Sequence, residues 1–224
     1  MFAHVTIRVA DLEASRRFYE TLLRREADGD EFREWDEFRI GQSGPEHPVT
    51  RNLHVAFAAE SRRDVDDFWR RGVDAGYTSD GEPGPRPQYH PHYYGAFLLD
   101  PDGNSVEAAH RPGRTETGPL IDHLWIGVAD LEASRRFWEA VVRALGLGIG
   151  ARDSLLIVAA DRRHFALVGD GRPPTENLHL AFPVADDEAV AGFHRVAAGA
   201  GFRGDGSCVL DPDGTQVEAV NHDR

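Results

Sequence analysis

The chain has 224 residues, 41% of them hydrophobic and 28% charged, a composition that suits a globular protein with room for two cores. Its net charge of −13 argues against binding nucleic acid or an anionic membrane surface. A single cysteine, Cys208, excludes an intrachain disulfide, and the absence of lysine excludes Schiff-base chemistry on a lysine.

The first strand is expected from Phe2 to Ala10, leaving no room for a signal peptide. No apolar run approaches the roughly 20 residues of a membrane span, so a cytoplasmic protein is expected. In that strand Val5, Ile7 and Val9 share one face, and His4, Thr6 and Arg8 the other. Asp11 reads as an N-cap, with an apolar helical stripe running to Leu23. Two or three short strands fit between Glu31 and Thr50. Arg51 to Ala59 is another alternating strand, with Leu53, Val55 and Phe57 opposite His54, Ala56 and Ala58. Ser61 and Asp64 suggest a capping box opening a second helix that Gly76 ends. A long Gly- and Pro-rich loop is expected from Ser79 to Pro91, within which P-R-P-Q-Y-H-P-H-Y-Y-G-A-F begins. The strands Ala96 to Leu99 and Ser105 to Ala109 follow, joined by the turn D-P-D-G, with Glu107 in the last strand.

The chain then repeats. V-A-D-L-E-A-S-R-R-F occurs at Val9 to Phe18 and again at Val128 to Phe137. N-L-H-V-A-F at Asn52 returns as N-L-H-L-A-F at Asn177, and D-P-D-G returns at Asp211. In the second copy helices are expected from about Asp130 to Ala144 and Asp186 to Ala198, with middle strands near Ser154 to Ala159 and His164 to Val168. The expected domains are residues 1–110 and 120–224, joined by a linker at 111–119. The fold class is α+β: tandem duplicated domains, each of two βαβββ modules, forming a curved barrel-like sheet around a metal cleft. Whether modules close within a repeat or across repeats is left open.

Three positions recur, His4, His54 and Glu107, then His123, His179 and Glu218. In every one of these strands the aliphatic residues hold the opposite face, so all six side chains are expected on the concave face. Ala56, Ala58, Gly127 and Ala181 on that face are expected to leave room for an ion and a substrate. Two imidazoles and one carboxylate are the donor set of a facial triad with open positions. The bland alternative is a set of structural histidines and solvated glutamates. His90, His92, Tyr93 and Tyr94 lie just before the strand leading to Glu107. An imidazole there could exchange a proton near neutral pH. If the segment is extended, His90, His92 and Tyr94 face the site together as catalytic candidates. The alternative is a stiff lid whose aromatics only pack. The second copy lacks this loop, so the two sites should be unequal.

These motifs resemble the vicinal oxygen chelate superfamily of glyoxalase I, bleomycin-resistance proteins and extradiol dioxygenases. The resemblance rests on H-V-T-I-R-V-A-D-L-E-A-S-R-R-F-Y, N-L-H-V-A-F and Y-H-P-H-Y-Y-G-A-F-L-L-D-P-D-G-N-S-V-E-A. It implies paired βαβββ modules and a divalent metal held by His4, His54 and Glu107, and by His123, His179 and Glu218. Glyoxalase-type members use a fourth ligand, which would fall between Glu37 and Thr50. Glu37 and Glu46 are the acidic residues there, and neither is assigned. The function implied is a metal-dependent enzyme acting on a small vicinal-oxygen substrate, of Fe(II)-dependent extradiol dioxygenase type. The alternatives are a glyoxalase-like lyase or isomerase and a small-molecule (antibiotic) binding resistance protein. Fe(II) is favoured as cofactor, with Mn(II), Zn(II), Ni(II) or Co(II) as the other candidates. The expected partner is a small-molecule substrate, with the protein a monomer or homodimer.

Overall fold

In the computed structural model, residues 1–112, 118–152, 154–160, 163–204 and 206–221 are described. The centre of the linker expected at 111–119 lies outside them.

Four modules follow one another. The first is β1 (His4–Val9), α1 (Leu12–Leu23), β2 (Phe32–Trp35) and β3 (Phe38–Gln42). The second is β4 (Leu53–Ala58), α2 (Arg62–Asp74), β5 (Ser79–Pro85), β6 (Tyr94–Leu99) and β7 (Ser105–His110). The third is β8 (Ile121–Gly127), α3 (Leu131–Val141), β9 (Gly148–Arg152), β10 (Leu155–Ala160) and β11 (Arg163–Val168). The fourth is β12 (His179–Pro183), α4 (Asp187–Gly199), β13 (Val209–Leu210) and β14 (Gln216–Val220). The outer two modules therefore have one strand fewer than βαβββ among the described residues. The expected loop from Ser79 opens instead with edge strand β5, whose irregular pairing with β6 accommodates Pro83 and Pro85.

The helices start where their caps dictate. Asp11 Oδ1 accepts from Ala14 N at 2.9 Å, and Asp130 Oδ1 accepts from Glu132 N and Ala133 N. Ser61 Oγ accepts from Asp64 N at 3.2 Å. The aliphatic faces of the strands lie under these helices: Val5, Ile7, Val9, Val55, Leu124 and Leu180 are fully buried.

The modules pair across the repeats. One sheet runs β13, β14, β12, β1, β3, β2; the other runs β5, β6, β7, β4, β8, β11, β10, β9. The first and fourth modules thus share a sheet, as do the second and third. At each sheet's centre a first-repeat strand lies antiparallel to a second-repeat strand: Thr6 faces His179, and His54 faces Trp125. The connectors that carry the chain between sheets also bond to each other. Arg51 and Glu176 exchange both backbone bonds, and Thr50 Oγ1 donates to Asn177 O at 2.7 Å. Asn52 and Asn177, which open the two N-L-H motifs, have φ of 59° and 55°. Asn is enriched in this left-handed region among non-glycine residues, and each side chain bonds the other connector, to Pro174 O and Val49 O.

The D-P-D-G turns tie hairpin to helix. Asp100 Oδ1 accepts from Asp102 N and Asn104 N, and Asp102 Oδ2 accepts from Ala10 N at 3.0 Å. In the second copy Asp213 Oδ1 accepts from Ala129 N at 3.0 Å.

Candidate metal centres

All six metal-ligand candidates lie on the concave faces, but cross-repeat pairing sorts them differently from the sequence. His4 and His54 are in different sheets, so His4, His54 and Glu107 do not form one set. The structure brings together His54, Glu107 and His123 in one cluster and His4, His179 and Glu218 in the other.

In the first cluster, His54 Nε2 lies 3.1 Å and His123 Nε2 3.7 Å from Glu107 Oε2. The far side of each imidazole is fixed. Asp122 Oδ1 lies 3.1 Å from His123 Nδ1 and also accepts from Arg111 Nη2. An ionised carboxylate only accepts, so this contact assigns the ring proton to Nδ1. Ser105 Oγ donates its proton to Asp80 Oδ2 at 2.7 Å, so it accepts from His54 Nδ1 at 3.2 Å. Burial holds the His54 imidazole below its ordinary pKa, against the opposing pull of Glu107, which favours the neutral ring. Two Nε2 lone pairs and a carboxylate oxygen then converge with no proton between them. Such a set repels itself unless a cation sits among the three atoms. It fits a divalent metal in chemistry and in arrangement.

The other carboxylate oxygen is also held: Tyr93 OH donates to Glu107 Oε1 at 2.8 Å. Burial, then the Glu107 charge, pushes the Tyr93 phenol well above its ordinary pKa, so it stays a donor. This corrects the expectation that Tyr94 faces the site. Tyr93 is 4% exposed and packs on Ala56 and Ala109. Tyr94 OH instead donates to Asp66 Oδ1 on α2 at 2.8 Å. Alternation fails because the segment before Tyr94 is not extended. Tyr93 N donates to His90 O and Tyr89 N to Arg86 O in consecutive turns around Pro91. His90 lines the cavity above the cluster; His92 is exposed and donates its backbone N–H to His90 Nδ1. Glu107 also needs Gly95, where any Cβ would collide with Oε1.

That cavity has a volume of ≈ 850 Å³. Phe97, Tyr89 and Trp125 form aromatic walls, and Arg86, Arg111, Arg152 and Arg172 line it as well. The small residues expected to leave room for an ion do other work. Ala56 receives the Tyr93 ring, and Gly127 abuts the Pro173 carbonyl. His164 on β11 was missed by sequence reasoning. It stands beside His123 in parallel register, with its ring stacked at 5.8 Å, and it lines the cavity. Strand alternation in H-F-A-L-V was the available signal. The acidic candidates for a further ligand are placed elsewhere. Glu37 accepts from Leu120 N and Ile121 N, and Glu46 lines a small cavity near the other cluster.

In the second cluster, His179 Nε2 lies 3.0 Å and His4 Nε2 4.0 Å from Glu218 Oε2. Its supporting residues differ. Ala3 precedes His4 where Asp122 precedes His123, and Gln216 stands opposite His179 where Ser105 stands opposite His54. The cavity beside His179 has a volume of only ≈ 50 Å³.

Residues 1–108 match the family model described as the Glyoxalase/Bleomycin resistance protein/Dioxygenase superfamily. Glyoxalase I from Zea mays is similar in fold over 98% of this chain and 92% of its own, at 20% identity and a TM-score of 0.71. A protein from Bacillus subtilis subsp. subtilis str. 168, provisionally named a dioxygenase, covers 100% of this chain at 13% identity, with 85% of its own covered and a TM-score of 0.66. A glyoxalase/bleomycin resistance protein from Albidiferax ferrireducens T118 is 34% identical over 50% of this chain and 99% of its own, with a TM-score of 0.45. No curated protein matches the chain. Among the described residues no helix is long and apolar enough to cross a membrane.

Proposed function

We propose, for a chain that belongs to the Glyoxalase/Bleomycin resistance protein/Dioxygenase superfamily, that its working site is the His54, Glu107 and His123 cluster. The reaction proposed there is Fe(II)-dependent ring cleavage of a small aromatic diol by O2. The observation that carries the reading is the convergence of two Nε2 lone pairs and Glu107 Oε2, each fixed from behind by its own partner. Bound there, Fe(II) would supply Lewis acidity toward two neighbouring substrate oxygens and redox chemistry toward O2.

The chain's own residues do the rest. The Asp122 and Ser105–Asp80 contacts keep both Nε2 atoms unprotonated and aimed inward. Tyr93 holds the Glu107 carboxylate in one orientation. Phe97, Tyr89 and Trp125 offer flat apolar walls that suit a planar ring, which favours an aromatic diol. His90 is the side chain proposed to carry a proton between substrate and solvent.

The test is metal analysis of protein purified without oxygen, then oxygen uptake with a panel of catechols. Iron retained by the wild type and lost in Glu107→Gln, with O2 consumed against a ring-opened product, supports the reading. Turnover of a hemithioacetal without O2 would replace it by a glyoxalase-type reaction. Tight ligand binding without turnover, unaffected by chelator, would replace it by sequestration.

A further inference from the structure

The second cluster differs from the first in what stands across from its carboxylate. In the first, Phe97 on β6 lies directly opposite Glu107 on β7 and walls the large cavity. In the second, Val209 lies opposite Val217, so one more step of the antiparallel register sets Cys208 across from Glu218. Directly opposed strand residues have Cβ atoms about 4.5–5.5 Å apart, within side-chain reach of a common atom. Cys208 Sγ lies 3.9 Å from His179 Nε2, the nitrogen that also faces Glu218 Oε2 at 3.0 Å, and so borders the tighter group made by His4, His179 and Glu218, which it would join by closing on the ion. Cys208 is buried, at 7% exposure, on the same side as the two imidazoles. Where the first cluster has an aromatic wall, the second has a thiol.

We propose that His4, His179, Glu218 and Cys208 form a closed four-ligand site for a thiolate-seeking divalent ion, of which Zn(II) is the type. Two nitrogens, one oxygen and one sulfur complete a tetrahedral shell with no position left for substrate, the coordination number of a structural site. On loading, the Cys208 thiol loses its proton to solvent and the sulfur lone pair forms the metal bond. The four ligands come from β1, β12, β14 and the residue before β13. The ion would therefore clasp the first strand of the chain to its last hairpin. The chain would hold two unlike metals, one open and catalytic, one closed and structural. This inference depends on the donor chemistry of the second cluster and not on the reaction assigned to the first.

The experiment is titration of the metal-free full chain with Co(II), followed by absorption. Wild type is expected to bind two equivalents, one of which produces a near-ultraviolet thiolate-to-cobalt charge-transfer band. Cys208→Ala should lose the band and keep the equivalent at His54. Glu107→Gln should keep the band and lose that other equivalent, so failure of either site is seen separately. In parallel, Zn(II) at about 100-fold above its dissociation constant should raise the melting midpoint of Glu107→Gln, in which only the closed site contributes, by about 5–10 °C. That increment should shrink at the same zinc concentration when Cys208→Ala is added to the Glu107→Gln background. Thiol titration gives a third reading that needs no variant: Cys208 should react when metal-free and be protected when zinc is bound. A wild type that binds two cobalt ions with no charge-transfer band overturns the proposal. So does a band that survives Cys208→Ala, or a thiol equally reactive with and without zinc.

Discussion

Asp211 heads the second D-P-D-G turn and is the clearest point at which the duplicated fold has lost a compensation. In the first copy, Asp100 Oδ2 accepts from Tyr19 OH at 3.0 Å and from Asn104 Nδ2 at 3.1 Å. In the second copy Trp138 replaces Tyr19 and Thr215 replaces Asn104. Asp211 Oδ1 still accepts from Asp213 N and Thr215 N, but Oδ2 has no hydrogen-bond partner among the described residues. Burial pushes the Asp211 carboxyl up to about 7, from an ordinary value of 3.8. A raised carboxyl pKa means that the folded state holds a proton the unfolded chain releases. Stability is therefore greatest below the unfolded value and falls as pH rises from about 4 through 7. Keeping this carboxylate ionised in the folded chain at high pH costs roughly 4 kcal/mol. Asp211→Asn keeps an Oδ1 acceptor for both amides and removes the charge. The variant should exceed wild type in urea unfolding by only about 1.5 kcal/mol at pH 5 and by about 4 kcal/mol at pH 8.5. Both proteins are measured in chelator, so metal linkage does not enter. A difference that is flat across this range would refute the account of Asp211 as a buried, under-compensated carboxyl.

Other expectations follow from the first cluster. Asp122→Asn replaces a carboxylate that only accepts by an amide that can also donate, so the His123 proton is no longer assigned to Nδ1, and should weaken metal binding there about 10–100-fold while leaving the second cluster unchanged in a competitive chelator titration. Tyr93→Phe frees Glu107 Oε1 and should lower turnover at matched metal occupancy, whereas Tyr94→Phe loses only a surface bond to Asp66, about 1 kcal/mol or less in urea unfolding, and should retain turnover. Equal turnover in the two tyrosine variants would reduce Tyr93 to packing.

Much of this was legible because the repeat states its pattern twice. Strand parity placed His54 and Glu107 on the face opposite Val55 and Val106, and the structure keeps that division. Caps at Asp11 and Ser61 set the helix starts. The grouping of the six ligands was not legible, because strand partners depend on which open edges meet, and local sequence carries no record of that. The Tyr93 orientation was lost for a different reason. Pro91 sits among turns, where period-two alternation has no meaning. Asp122, Ser105, Asp80 and Arg111 were invisible because each acts through a side-chain bond to a residue distant in sequence or on the same strand.

Cross-repeat pairing makes a strong statement about half of the chain. The central contact of the larger sheet is β4 with β8, and that of the smaller sheet is β12 with β1. Strand β8 is the repeat of β1, and β12 is the repeat of β4, so both are the same contact. The register agrees: Ala56 faces His123 as Ala181 faces His4, and His54 faces Trp125 as His179 faces Thr6. Residues 1–112 made alone would leave β1 and β4 as open edges over a half-built cleft. Two such copies can close both edges at once by pairing β1 of each with β4 of the other, a two-fold symmetric arrangement. Each of the two resulting sites would join His54 and Glu107 of one copy to His4 of its partner, in the place of His123. Ala3 would stand where Asp122 supports the ring, so these sites should bind metal more weakly than the native first cluster, by about 10–100-fold. Light scattering on the purified half should give twice its chain mass, with up to two metals per dimer. A folded monomer would show that a repeat can close on itself, and that the register match is not what holds the two halves together.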